Sequence, residues 1–303
     1  MNDAGSLALN PSQEADRFRL LTLAWLVVLL LTVPEIILRA FMQADTSWML
    51  SARLILLIGI IVLASVVQWI RPLRGFALVL LVIYAAESFF LTLIPQSELY
   101  RNIFGSSANL LFFGERLLRI GTVLVMLLLL LGMGLKRHDF YLTLGKLNAT
   151  AEADNRLHIP PKAEPWTRLG RNFGLISIAI LLFFMLPAIK PSLSNFSIGL
   201  VVFAAICAAI NSFAEEFLYR CALLPQLLPF VSKNRTLALV AIWFGLAHYF
   251  GIPSGITGVL ITALGGWIFA KSMVETRGLG WAWFLHFLSD FTIYLLILLA
   301  GGF

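Results

Sequence analysis

The stretch "NSFAEEFLYR", residues 211–220, closes an apolar run that begins near Phe196. Its adjacent carboxylates, Glu215 and Glu216, stand on a segment hydrophobic enough to sit in lipid. A charge at the centre of a bilayer costs about 3 kcal/mol or more, so such residues mark function by default. The pattern recurs further along the chain. His248 lies in "WFGLAHYF" and His286 and Asp290 lie in "WAWFLHFLSD", both apolar segments. Several costly groups in successive apolar runs of one region point to a shared site.

Composition supports the membrane reading. Of 303 residues, 60% are hydrophobic and 13% charged, with mean hydropathy +0.90. Soluble domains carry about a quarter charged residues. The expected fold is an all-α, polytopic membrane bundle. A spanning helix needs about 20 apolar residues. Nine candidates follow: 18–38, 52–70, 75–95, 109–134, 173–189, 196–219, 236–250, 256–275 and 281–301. The seventh is short and runs into "FGIPSG", which predicts a helix that stops inside the membrane. The longest polar stretch, 135–172, separates a four-helix region (1–134) from a C-terminal core (173–303). Pro160-Pro161 marks it as a linker, and Trp166 is expected at headgroup level. Residues 1–17 lack a basic n-region and a short apolar core, so the first run reads as a retained helix.

The net charge of +6 and pI near 9.6 would suit nucleic acid, but the placement of the charges argues otherwise. With the N-terminus in the cytoplasm, segments 17–19, 71–74, 136–171, 233–235 and 271–277 hold fifteen Lys and Arg. The opposite side holds Arg39, Arg53, Arg101 and Lys190. This is positive-inside bias, and nucleic acid is not an expected partner. Cys207 and Cys221, in or beside one apolar segment, read as two buried thiols rather than a disulfide framework.

Spacing assigns local roles. Glu216 and Arg220 are i,i+4 and can pair on one helix face. Glu215 is rotated by about 100° from Glu216 and is free to face the bundle interior. His286 and Asp290 are also i,i+4, which lets a carboxylate orient an imidazole. His138 and His158 sit in the polar linker and read as solvated.

The complete pattern is E-E-x-x-x-R (Glu215, Glu216, Arg220), F-x-x-x-H (Phe244, His248) and H-x-x-x-D (His286, Asp290). It resembles the CPBP family of intramembrane proteases, also called the Abi or type II CAAX prenyl endopeptidase family, over roughly residues 173–300. The resemblance implies a helical bundle with a cavity open to cytosol and membrane, and endoproteolysis of membrane-associated peptides or proteins. It implies that Glu215 and His248 activate a water, that His286 and position 290 stabilise the oxyanion, and that Glu216, Arg220 and Phe244 support the site. Asparagine is the other common residue at the position of Asp290.

No cofactor is certain. A divalent metal such as zinc, if used, would come from Glu215, Glu216, His248 and His286, although no H-E-x-x-H occurs. Membrane lipid and a peptide or membrane-protein substrate are the expected partners, in the cell membrane if the source is bacterial. "GIPSG" with Ser254 reads as a turn and not a serine-protease nucleophile. Glu115 and Arg119 read as a self-neutralising i,i+4 pair, and Glu35 has Arg39 at the same spacing. An ion-coupled transporter and a non-catalytic immunity or scaffold protein are the rival classes.

Overall fold

The computed structural model describes residues 11–154, 159 and 164–302. His158 and Pro160-Pro161, read above as linker, lie outside the described residues. The first helix, α1 (Pro11–Ile36), runs into a π-helical turn at Ile37–Phe41. α2 (Met49–Val66) and α3 (Leu73–Ser88) follow, with a second π-helical turn at Phe89–Leu93. The short α4 (Glu98–Phe104) precedes α5 (Ala108–Gly132). β1 (Thr150–Ala151) and β2 (Glu164–Pro165) pair antiparallel ahead of α6 (Trp166–Ile189). α7 (Ile198–Glu216) passes through a third π-helical turn (Phe217–Cys221) into the short α8 (Leu224–Leu227). α9 (Lys233–Ala247), α10 (Gly255–Thr276) and α11 (Gly280–Leu299) complete the bundle.

The protein is an all-α, multi-pass integral membrane protein. Among the described residues seven helices, not nine, are long and apolar enough to cross a bilayer: α1, α2, α3, α6, α7, α10 and α11. Two expected spans differ for separate reasons. α5 has the length but carries Glu115, Arg116 and Arg119. α9 has 15 residues, a rise of about 22 Å against a core of about 30 Å. Both are sheltered by protein: α5 packs on α3 and α7, and α9 on α1 and α10. Phe183, Ile55 and Leu128 are exposed on the outside of the bundle, where lipid supplies the apolar solvent.

The bundle has one end rich in Lys and Arg, where α1 begins, and one end poor in them, where α1 finishes. At the poor end, serine caps open helices in the usual way. Ser107 accepts from the Leu110 amide and Ser197 from the Leu200 amide, each at 3.2 Å.

At the basic end the segment after α5 docks on the bundle. The amide of Lys146 donates to the carbonyl of Thr276, and the amides of Leu279 and Gly280 donate to the carbonyls of Thr143 and Leu144. Gly145 has a φ of +78° and packs against Gly278 so closely that a side chain at either would meet backbone below 3 Å. α6 starts at Trp166, so the last part of the stretch expected to be linker is helical. Trp166 is fully buried in protein, and its indole donates to Glu275 Oε2 at 2.9 Å. Glu275 also accepts from Lys233 Nζ at 2.7 Å, from Lys271 Nζ and from the Glu152 amide. One carboxylate thus joins α6, α9, α10 and the docked segment.

Removing one partner of a buried ion pair leaves the other charge uncompensated, at a cost of about 3–5 kcal/mol. Glu275→Ala should therefore lower the thermal midpoint in detergent sharply. Glu152→Ala removes a 70% exposed carboxylate and should change the midpoint little in the same assay.

Candidate active site

The site forms where α7 ends in its π-helical turn. Widened turns of this kind recur at functional sites, since they re-aim side chains that a regular helix would stack. Glu215 and Glu216 point in different directions. Glu216 and Arg220 are both fully buried, and Arg220 Nη1 donates to Glu216 Oε1 at 2.9 Å. Glu215 faces a cavity.

His286, from the seventh position of α11, brings its Nδ1 to the same Glu216 Oε1 at 2.8 Å. A carboxylate only accepts, so the His286 Nδ1 carries the proton and Nε2 turns toward Glu215 Oε2 at 3.7 Å. Asp290, expected to orient this ring, lies at ion-pair distance from its other nitrogen. Asp290 Oδ1 lies 3.6 Å from His286 Nε2, beyond hydrogen-bond length, while Asp290 Oδ2 accepts from Asn211 Nδ2 at 2.9 Å. Glu216 holds the imidazole, because it already sits across the helix interface with a buried arginine behind it.

His248 caps the end of α9. Its Nδ1 lies 2.8 Å from the Phe244 carbonyl, which can only accept, so Nδ1 donates and Nε2 is directed to Glu215 Oε2 at 3.4 Å. The Phe244 ring lies between the His248 ring, 4.3 Å away, and the Arg220 guanidinium, 3.7 Å from the ring centroid. Phe269 stacks on His286 at 5.3 Å. All seven residues singled out by the motifs are therefore brought together. Glu215 Oε2 is buried and has no hydrogen-bond partner among the described residues.

Three further residues complete the arrangement. Asn211 donates to Glu215 Oε1 at 3.1 Å as well as to Asp290, tying the two carboxylates together. Arg119, from α5, lies 3.4 Å from Glu215 Oε1 and 4.0 Å from Glu87. The expected Glu115–Arg119 pair is absent: Glu115 is half exposed and lies 3.5 Å from Arg116. The i,i+4 spacing was available, but Arg119 turns inward to the buried Glu215 and the partly buried Glu87. Asn211, one helical turn before Glu215, was legible in the sequence as a polar residue on the same face. The reach of Arg119 was not.

One of the four residues that a metal would use is already engaged. Glu216 is committed to Arg220 and His286, and among the described residues no group of three or more His, Cys, Asp or Glu is arranged to hold an ion.

Two cavities meet here. An apolar one of about 200 Å³ lies between α6 and α10 and reaches His248, His286 and Asp290. A polar one of about 500 Å³ contains Glu215, Arg116, Arg119 and Asn211, and shares His248 and Asp290 with the first.

Residues 195–292 match the family model described as type II CAAX prenyl endopeptidase Rce1-like. This segment resembles the Rce1-like family. The match runs from just before α7 into α11 and contains every motif residue, while α1 to α6 lie outside it. Arg119 and Glu87 therefore reach the Rce1-like segment from helices that the match does not cover. No curated protein and no solved structure matches the chain.

The packing around Arg220 yields a test. A Cβ on Gly266 would meet Arg220 Nη2 at 2.9 Å, whereas one on Gly265 would find ordinary contact with Phe269 at 3.5 Å. The guanidinium is held by Glu216 and Phe244 and has no room to retreat. Gly266→Ala should destabilise by about 1–3 kcal/mol, read as a lower thermal midpoint, and Gly265→Ala should not. Glu216→Gln should cost more than either, since Arg220 would lose its counter-charge in a dry site.

Proposed function

We propose that this chain is an intramembrane endopeptidase that hydrolyses peptide bonds of membrane-associated polypeptides with a glutamate-activated water. The observation that carries this is the convergence on Glu215 Oε2. It is a buried carboxylate oxygen without a hydrogen-bond partner among the described residues, and the Nε2 atoms of His248 and His286 face it. A water on the cavity side of Oε2 gives its proton to Glu215 as its oxygen attacks the scissile carbonyl carbon. His248 Nε2 orients that water. The oxyanion is met by His286 as an imidazolium, whose Nε2–H donates to it while Nδ1–H stays on Glu216 Oε1. As the C–N bond breaks, the proton on Glu215 passes to the leaving nitrogen. Glu215 then returns to its starting state and no atom is left over.

Asn211 and Arg119 hold Glu215 Oε1, so only Oε2 is left for the water. The apolar cavity between α6 and α10 suits the lipid-facing part of a substrate. The Rce1-like match supports the reaction class. The residue roles and the choice of water over metal are this reading's own.

The test compares N-termini of membrane proteins in cells expressing the wild type or Glu215→Gln at matched levels. N-termini found only with the wild type are expected, and each should also vanish with His248→Ala and His286→Ala. Identical profiles from folded proteins would overturn hydrolysis and favour a carrier or scaffold. Chelation of purified protein should leave cleavage of an identified substrate unchanged. Loss on chelation with recovery on adding zinc would replace the glutamate route with a metal-assisted one.

A further inference from the structure

The resemblance implies a cavity open to the cytosol, and the charge count puts the N-terminus there. The fold does not accommodate both. The polar cavity leaves the level of Glu215 toward the end of the bundle that is poor in basic residues. Its far wall is Leu91, just beyond α3, Phe112, near the start of α5, Ile297, near the end of α11, and Ile252, in the loop after α9. Every one of these lies at the end where α1 finishes.

The opposite end is closed over the site. Phe217, Leu224 and Leu227 are fully buried immediately beyond Glu216, with Phe140 and Trp166 behind them. The backbone of 143–146 is hydrogen-bonded across the turn between α10 and α11. A cavity at that end, around Arg17 and Arg235, shares no residue with the site.

The charge asymmetry between the two ends is fifteen against four in the sequence. Arg39 and Arg53, two of the four, are both paired with Glu35. Lys and Arg near helix ends set orientation, so the basic end is cytoplasmic.

We infer that the site is served from the extracytoplasmic side, through the polar cavity, by polypeptide presented on that face of the membrane. This rests on the hydrolase reading for what happens at the site, but not for which side opens. The substrate class is then a membrane-bound peptide or protein segment already exposed outside the cytoplasm, not a cytosolic C-terminus. Its polypeptide enters beside Arg116, and its apolar part lies between α6 and α10.

The experiment is thiol labelling of intact cells with a membrane-impermeant maleimide. Cys207 and Cys221 are fully buried, so the wild type gives the background. Ile252→Cys places a thiol at a 56% exposed position on the cavity mouth, and Lys136→Cys places one at the exposed basic end. Ile252→Cys should react in intact cells, and Lys136→Cys only after permeabilisation. The reverse pattern overturns the proposal, as does an Ile252→Cys protein that stays unreactive after lysis, since the mouth would then not be open.

Repeating the labelling on each variant combined with Glu215→Gln reads orientation without activity. If labelling follows expectation while Glu215→Gln leaves the N-terminal profile unchanged, the hydrolase reading falls and the outward opening stands. If the profile changes but labelling reverses, hydrolysis stands and the opening is cytoplasmic.

Discussion

Glu216 sits where two helices and two kinds of charge meet. It is fully buried, accepts from Arg220 on its own segment and from His286 on α11, and no other group could do both. A buried carboxylate this far from water needs charged or hydrogen-bonding partners. Here those partners are the residues that fix the rest of the site. Arg220 carries the Phe244 ring, Phe244 presents the carbonyl that orients His248, and His286 points its free nitrogen at Glu215. The second glutamate is held through its Oε1 by Arg220 and His286, and the first faces the cavity.

This division explains why the carboxylates are adjacent. Neighbouring positions on a helix diverge by about 100°, so one face carries structure and the next opens on the cavity. The π-helical turn that follows lets Arg220 fold back on Glu216 while Tyr219 turns toward Trp243 and the polar cavity. Helices outside the Rce1-like match act on Glu215, as Arg119 does from α5. The front of the bundle is part of the site's electrostatics, not an appended anchor.

The basic end shows similar logic without the cavity. Glu275 gathers two lysines, an indole and an amide, and this closes the bundle at the end where the chain is most polar. A sealed end and an open end are what give the molecule a direction across the membrane.

The sequence alone determined that the chain is a helical membrane bundle and which residues are chemically unusual. Ionisable groups stand out in apolar runs because lipid makes each one costly, and i,i+4 spacing made the Glu216–Arg220 pair legible. What it misread were partnerships between helices. Spacing offered Asp290 to His286, and packing added Glu216 on the other ring nitrogen; spacing offered Glu115 to Arg119, and packing gave it Glu215 instead. Local spacing says which groups can meet on one helix. Only the arrangement of helices decides which buried charge lies nearest, and the distance from His286 to Glu216 spans 70 residues of chain. The side on which the cavity opens was hidden for the same reason, since it depends on which ends of α3, α5 and α11 splay apart and which are sealed.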